Sequence, residues 1–324
     1  MIRVGIVGYG NLGRGVLLAV NKTKDVECVG IFTRRSPETV KPEIKTPVYS
    51  FSDTEKFIGK IDVMLLCGGS ATDLPQITEK VLKNFNTVDS FDTHARIPEY
   101  YDKLNKVATE NGKLSLISVG WDPGLFSMAR TLFGAFLPDG TDYTFWGKGV
   151  SQGHSDAIRR IDGVQGAIQY TIPKEEALLK VREGLNPDLT ARQKHLRECF
   201  VVLKDGADKD YVEEQIKNMP NYFADYDTIV HFISAEELKE KHSKLSHGGF
   251  VLRSGSTTAE NRHLLELSVK LDSNPEFTGS VLTAFGRAVY KLANEGKTGV
   301  ITAFDVPIGY LSPYSPEYLR KNLL

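Results

Sequence analysis

The chain has 324 residues, with 40 basic against 41 acidic side chains and a net charge of −1. That balance supplies no field to draw it to nucleic acid or an anionic bilayer, and no segment approaches the ~20 apolar residues of a membrane span, so the expected partner is a small molecule. Cys28, Cys67 and Cys199 are odd in number, far apart and without CxxC spacing, which argues against a disulfide framework and a zinc site; no metal is expected.

The length suits two domains. The opening "MIRVGIVGYG" is apolar but short and breaks into glycines, so it reads as a first strand of a cytoplasmic protein and not as a signal peptide. Strands buried on both faces are expected at 2–7, 26–32, 61–67, 86–91 and 113–119, with helical patterns between them. Val16, Ala19 and Val20 share one helix face, and Leu104, Val107 and Ala108 another, ahead of the stop Asn111-Gly112. The alternation predicts an α/β fold, a Rossmann-type doubly wound parallel sheet over 1–120. After "GWDPG" (120–124) the strands lengthen and alternate more, at 198–203, 227–233, 249–256 and 263–271, predicting a second, mixed α+β domain over 121–275. Ser234 and Glu237 predict a capping box for a helix over 235–242. A long helix over 276–296, stopped by Gly296, is expected to return to the first domain with the tail that follows.

Directly after the first strand comes Gly8-Tyr9-Gly10-Asn11-Leu12-Gly13, a GxGxxG opening a helix. The first glycine permits a tight turn, the second lets backbone approach a pyrophosphate, the third lets helix and strand pack closely, and the helix N-terminus offers free N–H groups. An NAD-binding chain would place a carboxylate at the end of the second strand, against the ribose 2′-OH. This chain has "IFTRR" (31–35) there instead. A 2′-phosphate would repel a carboxylate, whereas the guanidinium groups of Arg34 and Arg35 can fork onto it and Thr33 can add a hydroxyl, so NADP is the expected cofactor. The small residues Cys67, Gly68, Gly69, Ser70, Ala71 and Thr72, after the strand at 61–67, are expected to let backbone approach the ribose or nicotinamide; a tight turn before a helix explains the glycines almost as well.

Ligands on an open parallel sheet sit at the carboxyl ends of its strands, where Asp92 and Asp122 fall. Carboxylates there suit an ammonium group. Each reads equally as a local structure-former, Asp122 as a turn residue before Pro123 and Asp92 or Thr93 as a helix cap. In the second domain Trp146, Gln152, His154 and Asp156 crowd a glycine-rich span, Trp146 reading more readily as core than as ligand contact. Arg197 and His247 can hold a carboxylate or lie at the surface.

Taken together, "VGYGNLGR" (7–14), "IFTRR" (31–35), "GSATD" (69–73), "SVGWDPG" (118–124), "TFWGKG" (144–149), "SQGHSDAIRRIDGVQ" (151–165), "QYTIP" (169–173), "SHGG" (246–249) and "LDSNPEFT" (271–278) resemble the meso-diaminopimelate D-dehydrogenase family. The segment 36–44 looks longer than that family's usual loop. The resemblance implies NADP-dependent, reversible oxidative deamination of meso-2,6-diaminopimelate at its D-centre, giving L-2-amino-6-oxopimelate and ammonia, within lysine biosynthesis. It implies that Asp92, Trp121, Asp122, Gln152 and Gly153 surround the D-amino-acid end, that Trp146 lines the pocket, and that Thr171, Arg197, His247 and Asn274 bind the distal L-centre. A charged His247 is allowed in that role. The resemblance also implies a homodimer and a substrate-binding and dimerisation role for the second domain. The candidate for proton transfer is Asp122, or Asp92 through a water; the alternative is that the aspartate only holds and orients the ammonium. A related dehydrogenase of a semialdehyde or imine and a non-catalytic NADP(H)-sensing module are the rival readings.

Overall fold

A computed structural model describes residues 1–70 and 72–324; Ala71 lies outside the described residues. The chain begins β1 (Ile2–Val7), α1 (Asn11–Lys22), β2 (Val26–Thr33), β3 (Val48–Ser50), β4 (Val63–Leu66), α2 (Leu74–Leu82), β5 (Asn86–Asp89), α3 (Ile97–Glu110), β6 (Leu114–Leu116) and α4 (Leu125–Phe136). It continues with β7 (Gly140–Trp146), β8 (Gly149–Val150), α5 (Gln152–Arg159), β9 (Val164–Pro173), α6 (Glu175–Arg182), α7 (Ala191–Lys194), β10 (His195–Leu203), α8 (Lys209–Lys217), β11 (Asp227–Phe232), α9 (Ala235–Lys241), β12 (His247–Ser256) and β13 (Arg262–Leu271). It closes with α10 (Asn274–Asn294), β14 (Gly299–Ile301) and α11 (Pro316–Leu323).

The fold resolves into two units, Met1–Met128 with Pro275–Leu324, and Ala129–Asn274. In the first, seven parallel strands run in the order β14-β6-β5-β4-β1-β2-β3. The order reverses at β1, which has β2 on one side and β4 on the other, and this reversal puts a crevice at the carboxyl end of β1. The central strands are apolar on both faces because helices cover both: Ile6, Ile31 and Leu65 face one core cluster, Phe32, Met64 and Leu66 the other.

Leu282, Phe285, Val289 and Leu292 of α10 belong to the first of these clusters, with Ile2, Val4 and Val16. The helix crosses α1 at glycines: a Cβ on Gly15 would stand 2.3 Å from the Pro275 carbonyl oxygen, and one on Gly279 would stand 2.4 Å from the Gly15 carbonyl carbon. Arg287 of α10, 4% exposed, forks onto Asp25 with Nε–Oδ2 at 2.6 Å and Nη2–Oδ1 at 2.8 Å, and donates from Nη1 to the Leu311 carbonyl at 2.7 Å. Arg287 holds the Asp25 carboxyl below its ordinary value, so the pair contributes stability above about pH 4 and loses it as pH falls through the depressed value. Asp25→Ala strands a buried guanidinium; we expect a loss of about 1–3 kcal/mol, read as a fall of several degrees in Tm at pH 7 that shrinks in acid.

The second unit carries two sheets, the mixed β11-β10-β9-β8 and the antiparallel β13-β12-β7, confirming the α+β expectation. Here β10, β12 and β13 exceed the expected ranges by one to three residues and β11 ends one residue early, while β5 and β6 are shorter. The cause lies in one carboxylate: Asp89 Oδ1 accepts from Phe91 N at 3.0 Å and from Ser118 N at 3.1 Å, pulling the chain out of both ladders, and Ser118 turns with φ 58°. The short strands β3 and β14 and the strands β7 to β9 carry too little periodicity to be read from sequence. The capping box at α9 is half formed: Ser234 Oγ accepts from Glu237 N, but the Glu237 carboxylate turns to Lys241 Nζ at 2.8 Å. Among the described residues no helix is long and apolar enough to cross a membrane, and no cluster could hold a metal ion.

Candidate functional site

The first unit gathers the expected cofactor residues at the carboxyl end of β1. Gly8 turns with φ 92°, and a Cβ on Gly13 would stand 2.2 Å from the Gly8 carbonyl oxygen, so α1 starts close against the strand. A Cβ on Gly10 would meet nothing within 4 Å, and no side chain caps α1, whose first-turn N–H groups include those of Asn11, Leu12 and Gly13. Open space beside an uncapped helix start fits a pyrophosphate. Leu12 and Tyr9 pack into the core, so both offer backbone to a ligand.

At the end of β2, Thr33 is buried and its Oγ1 accepts from Arg35 N at 3.1 Å. Arg35 Nη2 donates to the Tyr9 carbonyl at 2.8 Å, tying the arginine to the glycine turn. Arg34 Nη2 pairs instead with Asp73 Oδ1 at 2.6 Å. The carboxylate absent from the end of β2 therefore reaches that place from the loop after β4, which sequence order conceals. Gly68, Gly69, Ser70 and Thr72 lie in that loop. The Cys67 side chain turns into the core, where burial pushes its thiol far up, leaving only backbone for a ligand.

Ser70 connects this loop to Asp92: its Oγ accepts from Asp92 N at 2.8 Å and stands 3.3 Å from Thr93 Oγ1. Neither Asp92 nor Thr93 caps the following helix with its side chain. The Asp92 carboxylate is exposed and, among the described residues, has no hydrogen bond or ion pair. Trp121 is 7% exposed and meets Phe126 edge-on at 5.1 Å, while Asp122 is half-buried in a turn. A Cβ on Gly124 would stand 2.1 Å from the Gly120 carbonyl oxygen, which reserves that position for glycine. Asp89 anchors both exit loops through Phe91 and Ser118 and takes a hydrogen bond from Tyr100 Oη at 2.8 Å.

The second unit brings together the residues expected at the distal centre. Thr171 of β9 is directly opposite Arg197 of β10 and, on its other side, opposite Gly149 of β8. A Cβ on Gly149 would lie 2.6 Å from His247 Nδ1, so His247, Gly149, Thr171 and Arg197 succeed one another across the strands. Arg197 Nη1 donates to Thr171 Oγ1, and the guanidinium carbon lies 4.0 Å from the Tyr226 ring centroid. Arg197 is 7% exposed, its Nε is buried without a hydrogen-bond partner, and no described carboxylate pairs with it. Asn274 donates from its backbone to the Leu245 carbonyl at 2.9 Å, which ties it to the segment leading into His247. Gln152 and Gly153 are exposed in the first turn of α5, whose cap Ser151 donates from its backbone to Gln169 at 3.0 Å.

Burial lowers the pKa of His247, with Arg197 adding to the effect, and its Nδ1 accepts from Gly248 N at 2.8 Å. Sequence reasoning missed His195. It shares a face of β10 with Arg197, accepts from Trp146 N at 2.8 Å and stacks on that ring at 5.4 Å, and so positions Trp146; the two-residue alternation in "HLRECF" was its signal. Desolvation takes His195 and His154 each down to about 3. Both are depressed below the unfolded 6.5, so stability is full above that pH and is lost as pH falls from 6.5 towards 3. In urea melts the loss should reach at most about 1.4 kcal/mol per pH unit per histidine, and His195→Gln should flatten the slope.

Residues 120–273 match the diaminopimelic acid dehydrogenase C-terminal domain. The chain is 58% identical to the meso-diaminopimelate D-dehydrogenase of Ureibacillus thermosphaericus over 100% of this chain and 99% of that protein. The solved structure of C. glutamicum DAP dehydrogenase in complex with DAP superposes with a TM-score of 0.94 at 44% identity, covering 100% of this chain and 99% of that one. An engineered D-amino acid dehydrogenase bound to NADP+ superposes at 0.89 with 43% identity, covering 100% and 99%.

Proposed function

Because this chain belongs to the meso-diaminopimelate D-dehydrogenase family, we propose that it catalyses the reversible oxidative deamination of meso-2,6-diaminopimelate at the D-centre, yielding L-2-amino-6-oxopimelate and ammonium. It is a dehydrogenase that uses a nicotinamide cofactor. The phosphorylated form, NADP, is the one we propose, on the strength of two guanidinium groups and a buried hydroxyl at the end of β2.

The observation that carries the substrate assignment is Arg197: a buried guanidinium with an unpartnered Nε and no carboxylate partner calls for an anionic group from outside the chain. Thr171 already accepts from Arg197, so its own hydroxyl hydrogen is free to donate to the same carboxylate. We assign His247 and Asn274 to that distal L-centre, and Asp92, Trp121, Asp122, Gln152 and Gly153 to the D-amino-acid end, with Trp146 lining the pocket. The two carboxylates thereby complement the ammonium group of the D-centre, and a simple D-amino acid leaves Arg197 unmatched.

NADP+, held by the glycine turn and by Thr33, Arg34 and Arg35, would supply the hydride acceptor for the D-centre carbon. The residues supply orientation, since fixing both ends of a flexible diacid presents one stereocentre only. The reacting amine must be neutral as hydride leaves. Asp122, or Asp92 through a water, takes the ammonium proton; the resulting iminium then adds water and releases ammonia. Asp122→Asn is expected to lower kcat by about 100-fold, and undiminished turnover at saturating substrate would remove Asp122 as an essential base.

A direct test mixes the purified protein with NADP+ and, separately, meso-, LL- and DD-diaminopimelate and plain D-amino acids, following nicotinamide reduction and ammonia release. Activity with the meso isomer far above the others supports the proposal; reduction by a plain D-amino acid at an equal rate refutes the assignment of Arg197. A homodimer and a cytoplasmic location complete the proposal, the former open to light scattering at twice the chain mass.

A further inference from the structure

Arg34 leaves the end of β2, and Asp73 precedes α2 in the loop after β4. The strand lying between β2 and β4 in the sheet is β1, whose exit is the glycine turn. The Arg34–Asp73 ion pair, at 2.6 Å, therefore links the segments on either side of that turn. Asp73 is committed to this link: Oδ2 accepts from Gly69 N at 3.1 Å, and neither oxygen caps α2, although the residue stands at its N-cap. The pair is open to solvent ions, the Arg34 side chain being 58% and the Asp73 side chain 27% exposed. Arg35 is differently placed, since its Nη2 is bound to a backbone carbonyl of the glycine turn and carries no carboxylate.

We propose that Asp73 is a specificity-determining residue, which holds Arg34 in the free protein and competes with the cofactor's 2′-phosphate for it. The inference rests on the reading of Arg34 as a ligand of that phosphate. A phosphate bearing close to two negative charges prevails over a single carboxylate, but it must draw the guanidinium from Asp73 or share it beside a like charge. NAD+ has no group that needs Arg34 and is indifferent to the contest. Asp73 thus moderates NADP+ affinity selectively, and it does so without touching the reacting atoms.

Solvent-exposed ion pairs are weak, so the effect is modest and specific in sign. In Asp73→Asn the amide oxygen retains an acceptor for Gly69 N–H while the charge is gone. Kd values for NADP+ and NAD+ should be measured by calorimetry for the wild type, Asp73→Asn, Arg34→Ala and the double variant, at low and at physiological salt. Asp73→Asn should tighten NADP+ roughly two- to fivefold, leave NAD+ unchanged, and lose its effect in the Arg34→Ala background. Unchanged or weaker NADP+ binding in Asp73→Asn, or an equal tightening of NAD+, would overturn the inference. The Arg34→Ala arm separates the two levels: if that variant loses NADP+ and NAD+ affinity equally, the phosphate reading itself fails, whereas a selective loss of NADP+ with an inert Asp73→Asn defeats the competition alone.

Discussion

Arg197→Leu is expected to raise the KM for meso-diaminopimelate by about 100-fold or more, with the Kd for NADP+ unchanged. The magnitude follows from what is left behind. The guanidinium is 7% exposed and already lies against the Tyr226 ring with Nη1 on Thr171, so it awaits its anion in a fixed orientation. Removing it leaves a carboxylate desolvated without a cation, which costs about 2–5 kcal/mol, or roughly 30- to 5,000-fold in binding. Selectivity should collapse in parallel, because substrates lacking the distal carboxylate lose nothing: the ratio of kcat/KM for meso-diaminopimelate over a plain D-amino acid should fall by a similar factor. Lysine at this position should recover little. It has a point charge in place of the planar fork and lacks a flat face for Tyr226. A variant with unaltered KM would place the substrate carboxylate elsewhere.

Joint replacement of Arg34 and Arg35 by alanine should weaken NADP+ by about 10- to 150-fold for each charge-assisted hydrogen bond to the phosphate that disappears, and NAD+ far less. The two arginines should not behave alike. Arg34 meets only Asp73 among the described side chains, so its single replacement should act on NADP+ alone. Arg35 also braces the glycine turn through the Tyr9 carbonyl, so its replacement should cost both cofactors something and NADP+ more. Equal losses for the two dinucleotides in the double variant would contradict the phosphate assignment. Raising salt should narrow the difference between the cofactors, since these guanidinium groups face solvent.

The parallel sheet was legible because its strands are buried on both faces and its first turn must be glycine; Gly8 and Gly13 could hardly be anything else. The strands β10 and β13 were legible because two-residue alternation persists over much of their length, and β11 and β12 because each is a continuous run of strand-forming residues. Strands of two or three residues, such as β3, β8 and β14, have no period to detect and exist only because a neighbour offers a free edge. The candidate site divides in the same way. Side chains with a charge to explain, such as Arg197 and Asp92, stand out in a sequence, and the family resemblance collected the rest. Residues that work through others do not. His195 holds Trp146, Asp89 reaches the loop that carries Asp122 through Ser118, and Asp73 holds Arg34, each across a separation in sequence that only folding closes.

The placement of α10 within the core that contains β1 and α1 bears on how the chain is made. The first unit is discontinuous, its amino-terminal part waiting for Leu282, Phe285 and Val289, while the second is a single uninterrupted stretch. On a ribosome the inserted unit emerges whole before its host has received its last helix. A chain truncated after Asn274 and released from the ribosome should therefore resist protease within the inserted segment while its leading half is still readily cleaved.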